Sequence, residues 1–257
     1  MFYMALSMLS GCLNAEKKST ESRVESKVIL VSKLYDDFRF RNWINYFDSS
    51  VVVRGMYNLS FDSVDYYLAQ ANGVIISGGN DIQPQYYGKE AEVDRCGAFD
   101  PRRDTLEIKL IDYALNHKIP LLGICRGEQL INVSQGGSLI IDIPSDWNDS
   151  TVIHRGDSGY VDHMVSIAKH SLLDSIMAVD SGMVKSFHHQ AVENIAPGFV
   201  VTAYSKDSLP EAIELMDKSM HPFVLGVQWH PEKVTDFNNP LSKPIIERFL
   251  KEVYLNN

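Results

Sequence analysis

The sequence predicts an α/β fold: a single domain with a mainly parallel central sheet flanked by helices. Three observations point there. Short apolar runs rich in β-branched residues recur from Lys27 onward, amphipathic stretches of helical period separate them, and strand alternates with helix through the first half of the chain. At 257 residues, 45% of them hydrophobic and 22% charged, the chain is long enough to bury one sizeable core.

The elements follow in order. Residues 28–31 (VILV), 51–53 (VVV) and 73–77 (GVIIS) have the length and composition of buried strands. Between the second and third, Phe61, Val64, Leu68 and Ala71 recur at helical spacing. Asp100 and Pro101 supply an N-cap and a first-turn proline for a helix whose apolar face is Leu106, Leu110, Ile111, Ala114 and Leu115, ending before Pro120. A fourth strand, 119–124 (IPLLGI), runs into Gly123-Ile124-Cys125-Arg126-Gly127 and a helix over 128–134. Strands are expected again at 165–168, 199–204, 212–215 and 223–228, with a closing helix over 240–255.

Residues 1–26 differ in character. A mostly apolar run from Met1 to Leu9 leads into Ser10-Gly11-Cys12 and a polar stretch to Lys27, the look of a bacterial lipoprotein signal followed by a tether, with Cys12 as the lipidated residue. No Lys or Arg precedes the run, and it is shorter than the roughly 15–30 residues of a secretory signal. A membrane-anchored lipoprotein of the cell envelope is the expectation, with a frayed cytoplasmic terminus as its alternative. A lipid anchor is then the sole route to a membrane, because no segment reaches the roughly 18 apolar residues of a spanning helix. Residues 27–257 form the single folded domain.

Charge and cysteine content exclude several classes. With 33 acidic and 24 basic residues, net charge −9, the chain has no basic patch fit for nucleic acid. Cys12, Cys96 and Cys125 have no metal-ligand spacing, and neither do His154, His163, His170 and His221, so the sequence assigns no metal and no cofactor. Cys96 reads as a free thiol on a surface loop.

Chemistry concentrates at Cys125. Glycines two residues away on either side allow a sharp strand-to-helix turn that pushes the side chain outward, and a helix N-terminus favours thiolate over thiol. A packing cysteine between two close-packed glycines is the alternative. A thiolate attacking an amide needs an acid for the leaving amine, and His230, at the end of the 223–228 strand with Glu232 two residues on, offers an imidazole beside a carboxylate. The oxyanion of such a reaction needs preformed donors; the Arg126 N–H and the glycine pair Gly78-Gly79 are candidates, and a plain turn is the other reading of that pair.

Laid end to end, the motifs GVIISGGNDIQPQYYG, DPRRDTLE, LLGICRGEQLINVSQGGSLIIDI, VKSFHHQAVENIAPGF, EAIEL and PFVLGVQWHPE resemble, over roughly residues 73–235, the γ-glutamyl-γ-aminobutyrate hydrolase branch of the class I glutamine amidotransferase-like proteins. The resemblance implies a flavodoxin-like architecture, Cys125 as nucleophile, His230 and Glu232 as base and orienting carboxylate, and Gly79 with the Arg126 amide as oxyanion hole. It implies Gly78, Gln129, Ser186 and His188 near a γ-glutamyl substrate, with water as acceptor; His189 and Gln190 complete a motif without an assigned role. Lys185 and Glu128 depart from the pattern, where relatives often carry asparagine and an apolar residue, and both are expected near the pocket. Residues 35–59 match poorly. A homodimer is left open, and the competing functions are a glutaminase subunit feeding ammonia to a separate synthase, a silent γ-glutamyl metabolite-binding protein, and an α/β-hydrolase with cysteine. The last would place an acid tens of residues ahead of its histidine, against the position of Glu232.

Overall fold

The computed structural model describes residues 26–219, 221 and 223–256; the lipidation candidate Cys12 lies outside them. The first half alternates strand and helix, with α1 the one element the sequence did not announce: β1 (Val28–Val31), α1 (Arg39–Phe47), β2 (Val52–Gly55), α2 (Phe61–Leu68), β3 (Gly73–Ile76), α3 (Pro101–Asn116), β4 (Leu121–Ile124) and α4 (Arg126–Ser134). There follow β5 (Leu139–Ile140), α5 (Ile143–Asp146), β6 (Val161–Ile167), α6 (Leu172–Ile176), β7 (Ser181–Ser186), β8 (Ala191–Val192), β9 (Phe199–Ser205), β10 (Pro210–Leu215), β11 (Val224–Val227) and α7 (Lys243–Leu255). No helix among the described residues is long and apolar enough to cross a membrane.

The main sheet runs β2-β1-β3-β4-β11-β10-β9-β6-β7, parallel from β2 to β11 and antiparallel beyond. The strand-rich second half of the sequence thus becomes an antiparallel extension of the parallel centre. Period-two alternation divides each central strand between two cores. Ile29 and Val31 face Trp43 and Ile44 of α1 and Ile246 and Phe249 of α7, whereas Leu30 faces Val64 and Leu68 of α2 and Leu106 and Leu110 of α3. Each such large side chain, fully buried, contributes about 1.5–3 kcal/mol.

Capping separates α3 from α1. Asp100 accepts from the Arg103 N–H, with Pro101 in the first turn, as expected for α3. By contrast α1 starts from Phe38 at φ 53° without a side-chain cap, so its start carries no local signal. Its spacing of Phe40, Trp43, Ile44 and Phe47 was the available clue. The sheet order then brings β4 and β11 side by side, with Gly123 opposite Gly226 and Ile124 opposite Val227, so the residues that follow both strands meet at one edge.

Candidate active site

Cys125 follows β4 directly and caps α4 with φ 53° and ψ −108°, a conformation side-chain-bearing residues rarely adopt. Its N–H donates to the Val227 carbonyl at 2.8 Å, fixing the turn to β11. Close packing beneath the turn requires glycine: a Cβ on Gly127 would sit 2.0 Å from the Ile76 carbonyl oxygen. The side chain is buried, yet it lines two clefts, one on either side.

His230 reaches the same place from the end of β11. Its N–H donates to the Lys185 carbonyl at 2.8 Å, and its Nδ1 lies 2.9 Å from Glu232 Oε1, which leaves Nε2 for the Cys125 side. Burial lowers the imidazole pKa, but the Glu232 carboxylate and then the Cys125 sulfur, which also hydrogen-bonds to the ring, outweigh it and hold it at about 10. The Tyr160 ring packs edge-on against the imidazole at 5.0 Å. Gly78 fits between the two groups: a Cβ there would lie 2.9 Å from His230 Cε1 and 3.5 Å from Cys125 Cβ.

The glycine pair is held from behind by residues whose role the sequence did not disclose. Arg103 donates to the Ser77 and Gly78 carbonyls, both at 2.7 Å, and to the Tyr35 hydroxyl at 3.0 Å, while Tyr35 donates to the Gly78 carbonyl at 2.9 Å. In a trans peptide the Gly79 N–H points opposite the Gly78 carbonyl, so capture of that carbonyl turns the N–H toward the clefts. A Cβ on Gly79 would collide with Arg103 Nη1 at 1.8 Å. Arg103 is in turn paired with Glu107 at 2.6 Å, and Arg126, on the first turn of α4, pairs with Glu107 and Asp104. All four side chains are buried, and the two guanidinium groups overcome burial to keep Glu107 below the usual carboxylate range.

Replacing Arg103 by methionine removes one member of this balanced cluster, taking from the Ser77 carbonyl its side-chain donor and from the Gly78 carbonyl and Glu107 one of their two. A loss of about 3–5 kcal/mol is expected. Thermal unfolding checks it, at about 2–4 °C per kcal/mol for chains of about this size; an unchanged Tm would mean the cluster does not hold the turn.

The clefts differ in character. One, of about 300 Å³, is bounded by Gly79, Asp81, Gln129, Arg155, His188 and His189. The other, of about 380 Å³, is bounded by Tyr35, Phe40, Tyr160, Phe187 and Lys233, with His230 and Glu232 at its base. A larger cavity of about 670 Å³ shares Arg155, Phe187, His188 and His189 with the first but does not reach Cys125. Cys125 lines the two smaller spaces.

The other expected residues separate. Gln129 lines the first cleft, with its amide donating to the Gln190 carbonyl and Gln228 Oε1, both at 2.9 Å. Ser186 is fully buried, donates to the His154 carbonyl at 2.7 Å and lines neither cleft. Lys185 turns to the surface to pair with Asp162 at 2.9 Å. Glu128 packs against Gly226 with both carboxyl oxygens unpartnered, and burial, with Glu211 and Cys125 nearby, drives its pKa well above normal. Neither of these two lines the clefts beside Cys125. Arg155 and Asp81 were missed. Arg155 stacks over Phe187 at 4.8 Å and has no carboxylate partner among the described residues, whereas Asp81 is bonded to His189, which bridges to Asp142.

Comparison with known proteins agrees with this architecture. The chain matches the peptidase C26 family over residues 39–232. It is 37% identical to protein NtpR of Enterococcus hirae over 188 residues, covering 72% of this chain and 77% of that protein. It is 33% identical to the γ-glutamyl-γ-aminobutyrate hydrolase PuuD of Escherichia coli K12 over 178 residues, 66% of this chain and 67% of that one. Among solved structures, the glutaminase domain of Trypanosoma brucei CTPS with bound acivicin superposes with a TM-score of 0.60 at 15% identity, covering 90% of this chain and 95% of that one, a likeness of fold alone.

Proposed function

The chain belongs to the peptidase C26 family and is a hydrolase acting on C–N amide bonds, and from that premise we propose that it cleaves the γ-glutamyl amide of a small γ-glutamyl amine through a thioester on Cys125. The observation that carries this reading is the Cys125 thiol in contact with an imidazole whose far nitrogen is held by Glu232, at the junction of two clefts. A bond lying across Cys125 has its acyl half in one cleft and its amine half in the other.

The thiolate attacks the γ-carbonyl carbon, and the resulting oxyanion is met by the N–H groups of Gly79 and Arg126. Collapse expels the amine, which takes a proton from the His230 imidazolium, and leaves a glutamyl thioester. Water then gives its proton to His230 as it attacks, and collapse releases the glutamyl acid and returns the Cys125 thiolate beside the His230 imidazolium. Gln129 marks the acyl side. There the Arg155 guanidinium suits the α-carboxylate and Asp81 suits the α-ammonium. The aromatic walls of the other cleft suit the stem of the amine, and Lys233, now paired with Asp37 at 2.8 Å, offers a charge for an amine that carries a carboxylate, as γ-aminobutyrate does.

The test is turnover of a panel of γ-glutamyl amines and glutamine by the isolated chain. Hydrolysis of γ-glutamyl-γ-aminobutyrate in preference to glutamine is expected. Arg155→Ala should raise KM about 10-fold with little change in kcat, the loss of one charged hydrogen bond in a wet site. Turnover of glutamine alone, and then only with a second protein present, would instead identify an ammonia-supplying subunit.

A further inference from the structure

Four residues that sequence spacing left unconnected meet inside the antiparallel extension. His163 lies on β6 in phase with the buried Val165 and Ile167, where alternation calls for an apolar side chain. Glu211 lies on β10, His188 follows β7, and His154 lies in the segment before β6, tied to β7 because its carbonyl accepts from the Ser186 hydroxyl and the His188 N–H. All four side chains are at least nine-tenths buried, and one ligand atom from each lies within 4.8 Å of the others.

Those atoms are the ones left without hydrogen-bond partners: His154 Nδ1, His163 Nε2, His188 Nε2 and both oxygens of Glu211. The three nitrogens stand 3.3, 3.3 and 3.7 Å from Glu211 Oε1. A tetrahedral ion with bonds of about 2.0–2.1 Å has ligand-to-ligand edges of about 3.3–3.4 Å, so the three edges at the carboxylate are close to those of a coordination shell, and binding would draw in the rest of a set that lies within 4.8 Å.

The opposite ring nitrogens fix the tautomers. His154 Nε2 lies 2.9 Å from Asp207 Oδ2, His188 Nδ1 lies 2.9 Å from the Gln190 carbonyl, and His163 Nδ1 faces the Met164 carbonyl at 3.4 Å. Acceptors at all three places put the proton on the outer nitrogen, so each neutral ring presents a lone pair to the cluster. Three lone pairs converging on a carboxylate repel one another unless a cation sits among them. Making all three rings donors would bury three imidazolium ions against two carboxylates, and one carboxylate oxygen cannot receive three N–H groups. A single dication with Glu211 and Asp207 is electrically neutral.

We propose that His154, His163, His188 and Glu211 bind one divalent transition-metal ion, of the zinc type, as a closed structural site. Three imidazoles and one carboxylate suit zinc, and four protein ligands leave no open position for substrate, so the ion clamps the extension rather than entering the reaction. Because His188 also lines the cleft holding Gln129, the clamp fixes one wall of that cleft.

The experiment uses the full chain carrying Cys125→Ala, which removes the active-site thiol as a competing ligand. It is stripped by chelation and titrated with Zn2+ alone, then with Co2+ as a spectroscopic probe. One equivalent of zinc bound, a rise in Tm on its addition and the intense visible bands of four-coordinate cobalt are expected. Glu211→Gln and His163→Ala should lose the bound equivalent, and Asp207→Asn should weaken zinc about 10–100-fold. If those variants do not fold, X-ray absorption on the cobalt form decides by the ligand set, three imidazole nitrogens and one oxygen. No binding and no change in Tm, retention of the metal by either ligand variant, or a different ligand set would each overturn the assignment.

Discussion

The Cys125→Ala protein is expected to fold and to bind the γ-glutamyl substrate proposed above with KM nearly unchanged, while kcat falls by about three to six orders of magnitude. The sulfur is the sole group among those gathered at the clefts that can form the thioester, and deleting it leaves the oxyanion donors and both clefts in place. Retention of most of the turnover would remove Cys125 as nucleophile. The same position carries a second expectation. At φ 53° and ψ −108° a side-chain-bearing residue costs about 1–3 kcal/mol, a cost glycine escapes. Cys125→Gly should therefore be as inactive as the alanine variant but more stable, by about 2–4 °C per kcal/mol of strain relieved. Equal Tm values for the two variants would show that the turn is not strained, and presentation of the thiol would need another cause.

What could be read from the sequence was whatever is encoded over a few neighbouring positions. Cys125 between Gly123 and Gly127 declares a turn because a Cβ at 127 has no room, and His230 with Glu232 declares a pair because two residues separate them at a strand end. Helix α3 was legible through Asp100 and Pro101, whereas α1 starts from Phe38 without a side-chain cap and was not read. Residues whose meaning depends on strand order stayed silent. Arg103 looked like one more polar position on a helix until the fold placed it under the Ser77 and Gly78 carbonyls. Arg155 reaches Phe187 and the cleft holding Gln129 only because the segment before β6 folds over the end of β7. Ser186 illustrates the converse: a hydroxyl expected at the substrate is used by the backbone of His154. The histidines now facing Glu211 showed no ligand spacing because a loop, β6, the end of β7 and β10 each supply one member.

Glu232→Gln is expected to lower kcat/KM by about two to four orders of magnitude, with the alkaline limb of the pH profile displaced toward lower pH. The carboxylate accepts the His230 Nδ1 proton at 2.9 Å, whereas the amide can present an N–H there and favour the tautomer with its proton on Nε2, unable to accept from the thiol. The sign of the pH effect follows from charge. Leaving-amine departure needs the acid form of His230, and the negative charge of Glu232 is the first influence, ahead of the Cys125 sulfur, that offsets burial and holds that acid up to about pH 10. Without the charge the acid form is lost at lower pH, so activity falls earlier as pH rises. Substrate chemistry gives an independent check, because an anilide leaves with less help from an acid than an alkylamide. The loss should be smaller for γ-glutamyl anilides than for γ-glutamyl alkylamines. An unmoved alkaline limb together with equal losses on both substrates would mean that Glu232 only packs against the imidazole, and that the proton reaching the amine comes from elsewhere.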